Sequence, residues 1–454
     1  MPYTSVNPTT GAVQATYPDH TDPEVDALLD RAVATFQWYR TTSLSDRSMW
    51  LRSAAEVLEG ELPNIATILT EEMGKTFAAA KGEVLKCAMT MRYYADHGPA
   101  MLAPEPVDSP ARRSELRYDP IGCVLAVMPW NFPLWQVVRF AAPALMAGNV
   151  GILKHASNVP RAALCLEDVF RRAGFADGVF TNLFVPAFKV ASIIADDRIA
   201  AVTLTGSEAA GASVGAAAGA ALKKCVLELG GSDPFIVASS ADLDRAVPMA
   251  VTGRVQNNGQ SCIAAKRFLV VADRYDEFVA RFAEQMDALV VGDPMDPATN
   301  VGPLVSASQR QEIAEQVADA VGKGATVHAG GVAVDGPGFF YRPTVLTGVE
   351  PSMRAGCEEL FGPVAVVQSV PDLDAAIAVA NATPWGLGAS VWAEDPAEQE
   401  RCVAGIEAGM VFVNAIVAST PELPFGGIKR SGYGRELSAL GMREFCNIKT
   451  VYVA

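Results

Sequence analysis

The chain has 454 residues, too many for one ordinary hydrophobic core, so two or three domains with clefts between them are expected. Hydrophobic residues make up 50% and charged ones 19%, the balance of a folded chain rather than a disordered one. With 36 Lys and Arg against 51 Asp and Glu, the net charge of -15 would repel a phosphate backbone, which argues against nucleic acid as a partner.

The opening stretch MPYTSVNPTTGAVQATYPDH is mixed and turn-rich and lacks the basic, apolar and small-residue regions of a secretion signal, so a cytoplasmic protein is expected. Residues 51–69 carry helical spacing. SELRYDP, at 114–120, alternates like a strand. The apolar run 121–153 could be taken for a membrane span, but Pro129, Asn131, Pro133, Arg139 and Pro143 interrupt it. A buried strand, loop and helix fit better, and no membrane association is expected.

From there on, short β-branched runs recur between helical patterns: CVLAVM, VGILK, AAVTL, CVLEL, PFIVA, FLVVA, AVVQSV and MVFVN. Such alternation predicts an α/β architecture with largely parallel sheets. AAGASVGAAAGAALKK reads as a closely packed helix, because a disordered linker would be more polar. Helical spacing returns at 240–249, 274–289 and 307–322. FCNIKTVYV, at 445–453, is a second isolated alternating strand. An unpaired strand is a liability, so it should pair with another element or subunit, which points to a homo-oligomer.

Eight cysteines, at 87, 123, 165, 225, 262, 357, 402 and 446, are scattered without a CxxC pair, and the four histidines are as dispersed. Neither a disulfide framework nor a metal site is expected. Cys262 stands apart because it ends the polar approach VQNNGQSC. If it reacts, a helix beginning at SCIAAKRF could tune its thiol; a cysteine packed at a helix start is the alternative. Glu228 ends an apolar strand in LELGGSDP, where a carboxylate is costly unless paired, protonated or used for proton transfer. Asn131, in MPWNFPLWQ, could donate to an oxyanion or simply make a turn. TLTGSEAAG follows a strand and opens a helix, good geometry for phosphate, although it lacks the GxGxxG fingerprint. Lys154 at the end of VGILK could reach a ribose or phosphate, or be solvated.

Together and in this order, PWNFP, ILKHASNVP, TGSEAAG, LELGGSDP, NNGQSC, EELFGPV and PFGGIKRSGYGRE resemble the aldehyde dehydrogenase superfamily over nearly the whole chain. The resemblance implies a Rossmann-like cofactor domain at 1–106 and 122–229, an α/β catalytic domain at 230–435, and a small β oligomerisation element at 107–121 and 436–454. It implies Cys262 as nucleophile, Glu228 as general base, and Asn131 with the Cys262 N–H as oxyanion donors. Toward the cofactor it implies Trp130, Asn131, Lys154, His155, Ala156, Ser157, Gly206, Ser207, Leu229, Glu359 and Phe361.

Two departures from the common family pattern carry expectations. Ser157 stands where relatives often have Glu, which removes a charge that would repel a 2'-phosphate, so NADP is expected, with NAD also accepted. His155 replaces a common proline, and the LKHA form resembles the succinate-semialdehyde dehydrogenase branch. In that branch Arg139 and Ser419 match positions that hold the substrate carboxylate, although Gln256 stands where some relatives have a second arginine. An ion pair between elements is the other reading of Arg139. With neither Ile263 nor Ala264 a cysteine, no disulfide switch beside Cys262 is expected. The expected reaction is oxidation of succinate semialdehyde by a homodimer or homotetramer. A broader dehydrogenase of small or aromatic aldehydes and a non-catalytic protein on the same fold are the alternatives.

Overall fold

Parallel strands need burial on both faces, and the β-branched runs supply it. The structure, a computed structural model, describes residues 2–454. In the first sheet Cys123–Met128 is central and pairs in parallel with Val150–His155 on one side and Ile199–Thr205 on the other. Phe180–Asn182 and Lys224–Glu228 flank these two. The strand order thus reverses beside the central strand, and in doubly wound sheets ligands settle outside the carboxyl ends at such a point. That edge gathers the chain just after Met128, His155, Thr205 and Glu228.

A second sheet has seven strands drawn from residues 234 to 413, parallel except for Thr326–Ala329. A third joins Glu105–Pro106, Arg113–Pro120 and Cys446–Val453, with all eight residues of the last strand paired to the middle one. The two isolated alternating stretches therefore pair with each other inside one chain. The chain also returns to the first sheet, where Gly432–Tyr433 pairs antiparallel with Glu228 and Leu227.

Local expectations hold with two corrections. Residues 51–69 belong to two helices, Leu44–Gly60 and Leu62–Met73. Pro63 cannot continue a helix interior, so it opens a new one. The second correction concerns Cys262 and is given below. The helix Ala307–Gly322 has the expected bounds. The Ala/Gly stretch forms Glu208–Ala220, and a Cβ on Gly211 would fall 2.5 Å from Leu229 Cδ1, so a larger residue there would displace the Leu229 side chain. Residues 121–153 fold as strand, loop and the buried helix Trp135–Ala147. Among the described residues no helix is long and apolar enough to cross a membrane.

Candidate active site

The approach to Cys262 is a tight left-handed bend. Asn257 and Asn258 have φ of 55° and 57° and Gly259 has 75°, a run that L-residues adopt only at a cost. The polar side chains hold it in place. Asn257 Nδ2 donates to Asn131 O at 2.7 Å and to Gln260 O at 3.0 Å. Asn258 Nδ2 donates to Gly74 O and Pro303 O, and Gln260 Oε1 accepts from Val305 N. The buried Arg254 donates to Gly259 O at 2.7 Å. The polarity that looks odd before a thiol is therefore what satisfies a buried, irregular backbone.

Cys262 sits in a turn, not at the start of a helix, because the chain runs from this bend directly into the strand Arg267–Val271. The thiol therefore does not stand at the N-terminus of a helix of its own. Burial pushes it up to about 11, against the pull of Arg139 and Lys266. Lys266, fully buried, donates to the carbonyls of Ser261 at 3.1 Å and Cys262 at 2.8 Å and pairs with Glu359 at 3.2 Å. It pins the turn from behind. The sequence displays Lys266 in SCIAAKRF, but spacing alone does not reveal that it folds back.

Cys262 lines two cavities. One, of about 270 Å³, is walled by Trp130, Asn131, Gly206, Ser207, Leu229, Glu359 and Phe361. Ser207 caps the helix Glu208–Ala220, so free N–H groups of a helix N-terminus stand at this wall. Trp130 and Phe361 meet edge to face at 5.7 Å between centroids. Lys154, Ala156 and Ser157 lie at the carboxyl end of the neighbouring strand, outside that wall. Lys154 makes no salt bridge among the described residues and lies 5.7 Å over the Tyr3 ring, while Ser157 O accepts from Thr4 N. His155 differs from expectation. Its ring is fully buried, bonded to Pro133 O at 2.9 Å and to Ala156 N, and burial depresses its pKa to about 4. It braces the PWNFP loop instead of facing a cleft, because the strand alternation turns it inward.

The other cavity, of about 330 Å³, is lined by Lys86, Phe132, Trp135, Arg139, Gln256, Ser419 and Phe425 among others. Arg139 reaches this wall but is buried in an ion pair with Glu436 and donates to Thr205 Oγ1 at 3.2 Å. Ser419 Oγ accepts from Lys86 Nζ at 2.9 Å and from Trp135 Nε1 at 3.0 Å. The sequence offered no sign of Lys86, which meets Ser419 across 333 positions of chain.

Asn131 Nδ2 donates to Gln260 O at 3.1 Å, and an amide has a second N–H left for a reacting oxygen. Glu228 is buried and lines neither cavity. A Cβ on Gly426, whose φ is 151°, would lie 2.6 Å from its Oε1, so a larger residue there would push the carboxyl aside. Burial and the neighbouring Glu436 push Glu228 well above the usual carboxylate range, partly offset by Arg139. Glu436 is itself raised by burial. Both carboxyls, packed beside one guanidinium, are thus biased toward the protonated form.

The pattern of the aldehyde dehydrogenase family matches residues 1–451. The chain is 59% identical to succinate-semialdehyde dehydrogenase [NADP(+)] 1 of Mycobacterium ulcerans (strain Agy99), and 58% identical to the protein of that name from Mycobacterium tuberculosis (strain ATCC 25618 / H37Rv), each over all of both chains. It superimposes with a TM-score of 0.97 on the crystal structure of succinic semialdehyde dehydrogenase from Streptococcus pyogenes in complex with NADP+, at 39% identity over 99% of each chain. The chain belongs to the aldehyde dehydrogenase family.

Proposed function

We propose that this protein oxidises succinate semialdehyde to succinate with NADP+. One observation carries the reading: a single thiol, Cys262, is shared by two cavities, one ending in cationic and hydroxyl donors and the other opening at a helix N-terminus. The full-length identity to succinate-semialdehyde dehydrogenases [NADP(+)] supports it.

Cys262 Sγ, once deprotonated, adds to the aldehyde carbonyl. The free N–H of Asn131 and the Cys262 N–H stabilise the alkoxide that forms. A nicotinamide held between Trp130 and Phe361 would supply the hydride acceptor, so that the thiohemiacetal on Cys262 could be oxidised to a thioester. Glu228 then takes a proton from water, which attacks the thioester, frees the acid and restores the thiol. For this, the Glu228 side chain must turn from Gly426 toward Cys262.

The residues suit the cofactor. The cleft carries no carboxylate at position 157 to repel a 2'-phosphate, and Lys154, within the field of Asp19 but in no salt bridge among the described residues, can attract it. Gly206 and Ser207 would receive the pyrophosphate, Trp130 and Phe361 would wall the nicotinamide end, and Leu229 and Glu359 would border it. Ala156, between Lys154 and Ser157, would contribute backbone. NAD is accepted less well.

The protein also assembles with copies of itself in this reading, since the Cys446–Val453 strand has one edge open and exposes Ile448 and Tyr452. A cytoplasmic location is part of the same reading, supported by eight cysteines that remain free thiols.

The test is NADPH formation with succinate semialdehyde and with butanal, an uncharged aldehyde of equal length, beside a Cys262→Ala control. Preference for the semialdehyde and complete loss in the control are expected. Equal kcat/KM for the two aldehydes points instead to a broad aldehyde dehydrogenase; retained activity in the control removes Cys262 as nucleophile.

A further inference from the structure

The cation expected to hold the far carboxylate of the substrate already has an acidic partner. Arg139 is buried against Glu436, with a further bond to Thr205 and its plane 4.3 Å over the Phe425 ring. A guanidinium already paired with a carboxylate offers a second carboxylate little net attraction, and here Glu436 cannot be moved away into solvent.

Lys86 is in the opposite condition. It projects from the helix Phe77–Met101 into the same cavity, and among the described residues it makes no salt bridge. Its contacts are Ser419 Oγ at 2.9 Å and the face of Trp135, 4.1 Å from the ring centroid. The one acid near it on its own helix, Glu83, is engaged by Lys75 and by the N–H groups of Leu134 and Trp135. A positive charge therefore stands at the cavity wall without a counter-ion.

The hydrogen-bond inventory of Ser419 completes the site. Its oxygen accepts from both Lys86 and Trp135, which uses its two lone pairs. Its own proton is left to donate. Lys86 Nζ retains two further donors, because an ammonium has three and one is spent on Ser419. Three donors and one uncompensated charge make a receptor for a carboxylate.

We propose that Lys86, with the Ser419 hydroxyl beside it, is the specificity-determining cation that binds the substrate's distal carboxylate. Arg139 instead serves as the counter-charge of Glu436. This rests on the substrate reading above. Burial and then Arg139 bring Lys86 down to about 8, so it is mainly charged at neutral pH, and a bound carboxylate would favour the charged form further.

The readout is the ratio of kcat/KM for succinate semialdehyde to that for butanal, in the wild type, Lys86→Met and Lys86→Arg. In Lys86→Met the ratio falls roughly 10- to 100-fold, the worth of a charge-assisted hydrogen bond, through KM for the semialdehyde. Lys86→Arg retains most of it. A Lys86→Met enzyme that loses both aldehydes equally shows a structural role and overturns the proposal, as does an unchanged ratio in an enzyme whose wild type prefers the semialdehyde. A wild-type ratio near one instead removes the substrate reading itself and the Lys86 assignment with it.

Discussion

Two buried ionic clusters touch the helix Trp135–Ala147, balanced in opposite ways. Glu83 and Lys75 form a one-to-one pair that is almost wholly buried. Glu83 Oε1 also accepts from Leu134 N at 2.9 Å and Trp135 N at 3.0 Å, at the start of the helix Trp135–Ala147, and Lys75 lies 4.3 Å over the Phe132 ring. Every charge there has an opposite, and a helix N-terminus adds to the balance. Glu228 and Glu436, by contrast, share Arg139, with Arg435 adding some positive potential. The first cluster fixes the loop that carries Asn131; in the second, burial and the like charge of Glu436 bias Glu228 toward its protonated form. Buried ionic groups can thus serve architecture or proton transfer, and the count of partners distinguishes them.

The comparison is broken most directly at Glu228. Glu228→Gln should slow thioester hydrolysis about 10²- to 10⁴-fold, the usual worth of a general base, while a first burst of NADPH remains. Loss of the burst along with turnover would mean that Glu228 acts before hydrolysis. In the other cluster, Glu83→Gln keeps an acceptor for the two helix N–H groups but leaves Lys75 buried without a counter-charge. A loss of about 3–5 kcal/mol in stability is expected, read as a lower denaturant midpoint, with the pH profile of the surviving activity unmoved. A displaced profile would place Glu83 in proton transfer after all.

A smaller effect sharpens the contrast. Glu436→Gln removes the like charge that raises Glu228 and frees Arg139 to lower it, and both changes act in one direction. Glu228 then ionises at lower pH, so the rising limb of acyl-enzyme hydrolysis with pH should move toward acid. A fixed limb would uncouple the two carboxyls. The thiol offers a final check: with Cys262 at about 11, its alkylation in cofactor-free enzyme should quicken about tenfold per pH unit until it nears that value. A plateau near neutrality would show that burial is not what governs it.

What the sequence determined by itself was local or ordered along the chain. The strand Cys123–Met128 followed with its bounds from a β-branched run, Val364–Val370 all but its first residue, and the family from a series of motifs in order. Glu228 was marked by the cost of a carboxyl in an apolar strand, which needs no knowledge of its neighbours. The pairing of charges, however, was decided by tertiary structure alone. Arg139 faces Glu436, Lys86 faces Ser419 and Lys266 turns back to Cys262 O, and two of these contacts join residues roughly 300 or more positions apart. The turn at Cys262 was misread for the same reason, and the burial of the His155 ring was equally out of reach. Electrostatic and hydrogen-bond energies depend on separation in space and on burial, and neither is encoded in the spacing of residues along the chain.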